Sequence, residues 1–331
     1  MARDLSKPIE FVRFVVTAEE GGMRLDHLLA ARVTWRSRTD VQRRILAGTV
    51  LVNGQPRRKA TAVHSGDRID VLVDGPATEP TQMDAIPIQV IYEDDVLIVL
   101  NKAPGTVVHP VGRHVNDTLV NALHIRHHKL GLSGAVPPMI VHRLDRDTSG
   151  VLVLAKDEQV RKILGSAFES REVRKTYLAI VRGEVVPASF HVNEPIGPHP
   201  TLDSKVMMAC VQDGRPAETS FEVLERHASH TLLRCRPHTG RQHQIRVHLM
   251  HAGHPILCDH LYGQPGPLLA SDLVDDHPDP HARLLSRQAL HAESLEFEHP
   301  LTHEILRMEA ELPADLACML DRMPPPPAGH P

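Results

Sequence analysis

The spacing of apolar residues between positions 22 and 73 predicts a small unit of helices and strands. Apolar side chains recur at helical intervals in 24–32 and again in 39–47, and Gly48 is placed to end the second helix. The next segment, 50–54, predicts a strand that enters a hairpin turn, because it ends in an Asn-Gly pair. An alternating strand follows within 65–73, which completes an α+β unit.

From residue 86 to residue 313 the pattern predicts a larger α+β unit. Apolar and β-branched runs predict strands, whereas a periodicity of about 3.6 residues predicts helices. The predicted strands are 88–92, 96–101, 151–156 and 177–181, and the predicted helices are 157–169 and 245–252.

Three further segments lack a pattern that predicts a packed core. Residues 1–21 are predicted to form an N-terminal extension, and 74–85 a linker rich in proline, glycine, threonine and alanine. Residues 314–331 are predicted to be a proline-rich tail without fixed structure. The two folded units are therefore expected at 22–73 and 86–313.

The composition is that of an ordinary folded protein without a membrane segment. Of the 331 residues, 41% are hydrophobic and 24% are charged. No apolar run approaches the roughly 20 residues that span a bilayer, and the first residues lack the apolar core of a secretory signal. The four cysteines are far apart in the chain. We therefore expect reduced thiols, a cytoplasmic location and no membrane partner.

Basic residues are concentrated near the N-terminus, although the net charge of the chain is −4. The segment 24–59 holds nine basic residues and two acidic ones. Because phosphate binding is a local electrostatic effect, this segment favours a nucleic-acid partner more than the total charge opposes it. A solvated helix face is the alternative explanation.

The motifs of this basic unit resemble the S4 RNA-binding domain in order and spacing. The matching segments are Arg24-Leu25-Asp26, Ser37-Arg38, Gly48, Val52-Asn53-Gly54 and Gly66-Asp67. The resemblance implies a module that docks RNA through the RNA backbone and shape, without chemistry of its own. The residues expected to dock the RNA are Arg24, Arg36, Arg38, Arg43 and Arg44.

The sharpest motif of the large unit is the run from His142 to Gly150, which resembles the signature of the RluA-type pseudouridine synthases. Four other segments match that family in the correct order. They are 101–110, 174–179, 238–249 and 290–300. The resemblance implies a pseudouridine synthase domain with a mixed, mainly antiparallel central sheet flanked by helices.

The resemblance assigns the catalytic role to Asp145, with Tyr177 and Arg246 as partners. Pseudouridine forms when the bond from C1′ to N1 breaks, the uracil turns, and C1′ bonds to C5. Asp145 would act as a nucleophile or as the base of a glycal route, and the sequence leaves both routes open. Arg246 is expected to orient Asp145 and keep it ionised. Tyr177 is expected to lie against the uracil and relay the C5 proton. No cofactor is expected.

Four other residues are expected to bind the substrate. Arg143 corresponds to the arginine that helps to hold the flipped-out base, and a salt bridge to Asp147 is the alternative. His142, Arg241 and His243 are assigned to the same cleft, where structural roles are the alternative.

The 24 histidines raise the possibility of a metal site. His248, His251 and His254 are spaced by three and share one helical face, but no His-Glu-x-x-His motif and no zinc-finger spacing occurs. Because the family motifs explain several of these histidines, we expect no functional metal.

One more segment is expected beside the cleft, and two departures from the family pattern are expected to lie away from the Asp145 motif. The turn at 102–105 follows an apolar strand, and the resemblance places it beside the cleft as a support for the catalytic loop. The segment 258–263 begins with Cys258-Asp259, where the family commonly has Gly-Asp before a short Tyr-Gly element. An insertion rich in proline and aspartate follows at 264–287 and is predicted to be a surface loop.

The sequence therefore predicts an enzyme that converts specific uridines of structured RNA to pseudouridine. Large-subunit ribosomal RNA, free or in a pre-ribosomal particle, is the expected substrate, because S4-bearing members of the family typically act there. Transfer RNA is one alternative, and an RNA-binding ribosome-assembly factor with secondary catalysis is another. A carboxylate glycosidase is disfavoured, because no second placed carboxylate stands out. A monomer is expected.

Overall fold

The computed structural model describes residues 11–33, 38–72, 86–111, 114, 117–131, 137–201, 206–263, 266–273 and 279–325. The chain divides into two compact units: a small unit of 1–87 with 107–137, and a large unit of 88–106 with 138–331. Residues 107–137, predicted to belong to the large unit, therefore group with the small one. The predicted linker at 74–85 lies outside the described residues. Among the described helices, none combines the length and the apolarity that crossing a membrane would require.

Among its described residues, the small unit contains a four-stranded antiparallel sheet and three helices. The strands are β1 (Phe11–Val15), β2 (Val50–Val52), β3 (Gln55–Pro56) and β4 (Arg68–Leu72), in the order β1-β4-β2-β3. The helices are α1 (Leu25–Arg32), α2 (Arg38–Leu46) and α3 (Leu119–Lys129).

The apolar pattern that predicted α1 and α2 also supplies the core of the small unit. Leu25, Leu28 and Ile45 are buried there together with residues of β2 and β4. The strand β1 pairs with β4 along its whole length. The prediction of a separate N-terminal extension at 1–21 was therefore wrong for residues 11–15, which form an edge strand of this sheet.

The predicted Asn-Gly hairpin is confirmed. Asn53 and Gly54 have positive φ values of 53° and 80°, and they connect β2 to β3 with Val52 opposite Gln55. A two-residue turn of this kind needs the left-handed backbone that asparagine and glycine adopt most easily. The Asn53 amide also donates a hydrogen bond to Asp67 at 2.8 Å, which ties the turn to the loop before β4.

Most of the described strands lie in the large unit, together with three described helices. The first strands are β5 (Gln89–Glu93), β6 (Leu97–Lys102), β7 (Met139–Ile140), β8 (Ser149–Ala155), β9 (Arg174–Arg182), β10 (Ser189–Val192), β11 (Ile196–Pro198) and β12 (Met208–Cys210). The later strands are β13 (Thr219–Arg226), β14 (His230–Pro237), β15 (Leu268–Leu269), β16 (Arg283–Leu285), β17 (Leu290–Glu298) and β18 (Ile305–Glu309). The helices are α4 (Glu158–Glu169), α5 (Gln244–His251) and α6 (Ala314–Arg322), with a 3₁₀ turn at Ala270–Asp272.

Ten of these strands form one sheet. Its order is β10-β13-β14-β9-β17-β8-β6-β5, with β18 paired to β17 and β7 paired to β8. Among the described strands of this sheet, β17 and β8 alone pair in parallel. The predicted mixed, mainly antiparallel sheet is confirmed.

The parallel pairing of β8 with β17 depends on Gly150. All seven residues of β8 are buried, and Gly150 lies opposite Ala292 of β17 with a φ of +111°. A Cβ atom at this position would stand 2.1 Å from the carbonyl oxygen of Ala292. Only glycine allows both this backbone conformation and this close approach of two strands. The start of β8, and with it the preceding loop, is thereby fixed against β17.

The insertion at 264–287 is more ordered than predicted. The strands β15 and β16 pair within it, and Leu268, Ala270 and Leu285 are buried. Leu268 and Leu285 belong to the main core of the large unit. The prediction of a plain surface loop was therefore wrong for these residues, because three apolar side chains among the prolines and aspartates anchor the segment.

The helix α6 lies where the sequence predicted a tail without fixed structure. Leu316, Met319 and Met323 are buried in the same core as side chains of β9 and β14. Their spacing is helical, but the proline run that follows dominated the composition of the segment. The prediction was wrong for 314–325, and 326–331 lie outside the described residues.

The substitution Leu316→Ala should lower the free energy of unfolding by about 2–5 kcal/mol, because it opens a cavity in a packed core. The matched substitution Cys318→Ala, at an exposed position of the same helix, should change that free energy by less than about 0.5 kcal/mol. Urea unfolding followed by circular dichroism measures both. Equal stabilities of the two variants would show that α6 does not pack as described.

Candidate active site

Asp145 lies in the loop that connects β7 to β8, four residues before the strand begins. Its side chain is partly exposed, at 24%. The loop turns tightly at this point, because the amide of Thr148 donates a hydrogen bond to the Asp145 carbonyl at 3.2 Å. Asp145 is thus displayed by a short loop attached to the most deeply buried strand of the sheet.

Side chains from other segments hold this loop in place. Lys102, at the end of β6, donates to the carbonyl of Arg146 at 2.9 Å. Arg287 donates to the carbonyl of Asp147 at 3.2 Å, and the Gln288 amide donates to the Thr148 hydroxyl at 2.7 Å. The conformation of the loop that holds Asp145 is therefore fixed by residues more than 40 positions away in the chain.

Lys102 is the most deeply buried of these supports, with 1% of its surface exposed. Its ammonium group also donates to the carbonyls of Ala103 and Thr106, at 2.8 and 3.0 Å. Burial lowers the pKa of Lys102 to about 7, against the opposing negative charge of Asp147. Three carbonyl acceptors match the three N–H donors of the protonated form. The turn at 102–105 therefore supports the loop that holds Asp145, as expected.

Arg246, on α5, connects Asp145 to a second carboxylate. One guanidinium nitrogen, Nη1, donates to Asp145 Oδ2 at 2.8 Å. The other two nitrogens form a bidentate pair with Asp259, with Nε at 2.7 Å and Nη2 at 2.8 Å. Arg246 is 5% exposed, and Asp259 is fully buried. Burial opposes the charge of Arg246, but the bonds to Asp259 and Asp145 outweigh it and raise its pKa.

Asp259 and Tyr262 complete the support of Arg246. Asp259 Oδ1 also accepts the amide hydrogens of Leu261 and Tyr262, at 3.0 and 3.1 Å. The guanidinium carbon of Arg246 lies 4.9 Å from the centre of the buried Tyr262 ring, a cation–π arrangement. Cys258 has a φ of +57°, which explains why the family commonly has glycine there. No role was predicted for Asp259 or Tyr262, although the Gly-Asp and Tyr-Gly pattern of the family was the available signal. The expectation that this segment lies away from the Asp145 motif was wrong, because Asp259 bonds Arg246 and Arg246 bonds Asp145.

His243 is the N-cap residue of α5 and has a left-handed backbone conformation, with φ 56° and ψ 21°. This backbone aims its ring at the site: Nε2 lies 3.8 Å from Asp145 Oδ1, and Nδ1 lies 2.8 Å from the Tyr262 hydroxyl. Burial lowers the pKa of His243, and the charge of Asp145 opposes that effect. A substrate-binding role for His243 stays a prediction, and its place beside Asp145 supports it.

Tyr177 lies on β9, half-buried, in register with Cys235 of β14 and Ala292 of β17. Burial, and then the negative charge of Asp145, raises the pKa of the Tyr177 hydroxyl above its ordinary value. The hydroxyl is therefore protonated at physiological pH. A standing phenolate base at this position is disfavoured.

A cleft of about 920 Å³ brings the predicted site residues of the large unit together. They are His142, Arg143, Asp145, Tyr177, Arg241, His243 and Arg246. The cleft is also lined by Arg161, Arg171, Lys175 and Arg215, so its wall is strongly basic. Such a wall suits a phosphate-bearing ligand.

The comparisons with known proteins agree with this geometry. The family model described as RNA pseudouridylate synthase matches residues 96–251, and the S4 domain model matches 23–69. The chain is 38% identical over 326 residues to ribosomal large subunit pseudouridine synthase D of Xanthomonas campestris pv. campestris, covering 98% of this chain and 96% of the relative. The chain belongs to the RNA pseudouridine synthase family. The predicted RluA-type domain and the N-terminal S4 domain are confirmed.

Two other comparisons extend this result. The protein of the same name from Nitrosomonas europaea is 39% identical over 93% of this chain and 87% of its own length. The solved structure of human RNA pseudouridylate synthase domain containing 4 superposes with a TM-score of 0.57 and 29% identity. That match covers 71% of this chain and 94% of the human one.

In this synthase, the contacts of His142 are those of a framework residue. Its Nε2 accepts the amide hydrogen of Val153 at 3.0 Å, and its ring stacks on Phe168 at 4.4 Å. Burial, and then the positive charge of Lys175, lowers the pKa of His142 to about 3, so the ring is neutral. These contacts favour the structural alternative for His142, and substrate binding by it stays a prediction.

Arg143 and Arg241 differ in their contacts with the rest of the protein. Arg143 is exposed and forms no ion pair with a described residue, because Asp147 is paired with Arg146 at 2.9 Å. Arg241 donates from Nε to the carbonyl of Pro216 at 2.9 Å. Arg143 therefore fits the predicted contact with substrate better than the salt bridge weighed against it.

The predicted RNA-docking arginines of the S4 domain are not equivalent. Arg24 is partly exposed and bonds Asp26 at 3.0 and 3.1 Å, and Arg43 is exposed. Arg44 is only 8% exposed, which does not fit a phosphate-docking role. Arg36, and the side chain of Arg38, lie outside the described residues.

The substitution Asp259→Asn should lower the free energy of unfolding by about 3 kcal/mol or more, because it leaves the buried guanidinium of Arg246 short of a charged partner. The same change at the partly exposed Asp145, which shares one bond with Arg246, should cost less than about 1 kcal/mol. Urea unfolding of Asp259→Asn beside Asp145→Asn provides the measurement. A larger loss at Asp145 would reverse the assignment of Asp259 as the structural carboxylate.

Proposed function

We propose that this synthase isomerises uridines of large-subunit ribosomal RNA to pseudouridine, with Asp145 as the catalytic carboxylate and no cofactor. The relatives from Xanthomonas and Nitrosomonas, both named for the ribosomal large subunit, support the substrate. The basic cleft of the large unit and the S4 domain support an RNA ligand.

The bond between Arg246 and Asp145 in this cleft is the observation that carries the proposal. Arg246 holds Oδ2, so that Oδ1 is the oxygen available to substrate, with the His243 ring 3.8 Å away. A carboxylate fixed through one oxygen has a defined direction of attack. Oδ1 would bond to C1′ in the nucleophilic route or remove a sugar proton in the glycal route.

The proposed reaction is balanced without any added group. The bond from C1′ to N1 breaks and the bond from C1′ to C5 forms, while one proton leaves C5 and one is gained at N1. Nothing is oxidised or reduced, so a carboxylate and a group that moves a proton are sufficient.

Tyr177 is the proposed group for the C5 proton. Because its hydroxyl is protonated, it would accept the C5 proton only as it passes its own proton on. The Tyr177 ring, on the wall of the same cleft, would also stack against the uracil after the nucleotide has left the RNA helix.

Replacing Asp145 should abolish the reaction. The full-length protein is incubated with RNA labelled with tritium at uridine C5, and tritium release is measured. Asp145→Asn should reduce release at least about 10³-fold, as expected when a nucleophile or base is removed. The control Asp147→Asn, two residues along the same loop and paired with Arg146, should retain most of the activity. Release unchanged by Asp145→Asn would refute the assignment.

The choice of RNA is tested separately with the wild-type protein. Labelled large-subunit ribosomal RNA should release tritium much faster than transfer RNA at equal uridine concentration. The reverse preference would establish the transfer RNA alternative, and no release from either RNA, free or in pre-ribosomal particles, would favour an assembly factor. These outcomes identify the RNA substrate. They do not test the role of Asp145, which the preceding experiment addresses.

A further inference from the structure

Three side chains of a kind that can bind a metal form a cluster outside the residues proposed for catalysis. One ligand atom from each of His191, Glu218 and His238 lies within 4.8 Å of the others. Two histidines and a carboxylate are a common zinc ligand set with room for water in the fourth position. We propose that His191, Glu218 and His238 form a binding site for one zinc ion.

The register of the sheet places these side chains on one face. His191 of β10 lies opposite Ser220 of β13, and Glu218 lies two residues before Ser220. The amide of His238, which follows β14, donates to the Glu218 carbonyl at 2.9 Å, so these two residues are also opposite one another. Opposite residues, and residues two apart, point to the same side of a sheet.

The Ser220 hydroxyl lies within hydrogen-bond distance of both histidine rings. Its oxygen lies 2.7 Å from His238 Nε2 and 3.3 Å from His191 Nδ1. The other nitrogen of His191, Nε2, faces Glu218 Oε1 at 3.5 Å. His191 is therefore oriented by a hydrogen bond at the ring nitrogen that does not face Glu218, as metal-binding histidines generally are.

The spacing requires only a small closure around the ion. Ligands of a tetrahedral zinc ion lie roughly 3.3 Å apart, given bonds of about 2.0–2.1 Å. The ligand atoms here lie within 4.8 Å of one another. The side chains of His191 and His238 are exposed, so rotation about their bonds can bring these atoms closer. The neighbouring Arg236 does not oppose a cation strongly, because it is paired with Glu222 at 3.0 Å.

Zinc at this site would fasten one wall of the catalytic cleft. Thr239, Gly240 and Arg241, which line the cleft, follow His238 directly. The Thr239 hydroxyl also accepts the amide hydrogen of Glu218 at 3.0 Å. A zinc ion bound by both His238 and His191 would therefore connect the start of the loop at 239–241 to β10.

The test uses the full-length protein, freed of any histidine tag and stripped with EDTA. Zinc is titrated in competition with a chromophoric chelator. The wild type should bind one zinc ion, and His191→Ala, His238→Ala and Glu218→Gln should each weaken binding at least about tenfold. The control is His303→Ala, because His303 is an exposed histidine paired with Glu298 outside the cluster. That variant should bind zinc like the wild type.

Equal affinities in all the variants, or no zinc bound against the chelator, would overturn the proposed site. Hydrogen exchange of amides 239–241 tests the effect on the cleft wall. Zinc should slow their exchange in the wild type and leave it unchanged in His191→Ala. Zinc binding without any change of exchange would overturn the link to the cleft wall.

Discussion

The guanidinium of Arg246 is the group on which the arrangement of the active site depends. Its planar fork satisfies Asp259 with two nitrogens and leaves the third for Asp145. A lysine could not do this, because a single ammonium group lacks the fixed geometry of a bidentate donor. Since Asp259 is fully buried, Arg246 cannot move toward Asp145 without leaving a buried charge unpaired. The position of Asp145, the proposed catalytic carboxylate, is therefore set by a buried ion pair.

The central sheet also helps to position Asp145. The loop that holds Asp145 is continuous with β8, and Gly150 allows β8 to approach β17 closely. Lys102 and Arg287 then fix the carbonyls of Arg146 and Asp147. Arg287 is itself held by Asp315 of α6 at 2.6 Å, so this helix, in a segment predicted to be a tail, is joined to the loop that holds Asp145.

Site residues that belong to short local motifs could be predicted from the sequence. Contacts between segments that are far apart in the chain could not. Asp145, Tyr177 and Arg246 were predicted from local motifs, and they line one cleft. The Asn-Gly turn and the helices of the S4 domain also follow from local rules. Asp259, which bonds Arg246, follows a residue with a left-handed backbone. In this chain that residue is Cys258, whereas a glycine would have indicated the left-handed conformation from the sequence. The pairing of β1 with β4, about 60 residues apart, and the docking of α6 depend on tertiary contacts that periodicity does not specify.

The distribution of charge explains how one cleft can receive both a polyanion and an uncharged base. At its centre one cation, Arg246, is engaged by two carboxylates, so the centre carries no free positive charge to attract phosphate. Arg143, Arg171 and Arg215, on the same wall, are exposed and form no ion pair with a described residue. Phosphates would therefore be attracted to these three arginines, whereas the two carboxylates at Arg246 would favour the neutral uracil over a phosphate. The same buried pair that orients Asp145 thus also helps to separate the RNA backbone from the base on which the reaction takes place.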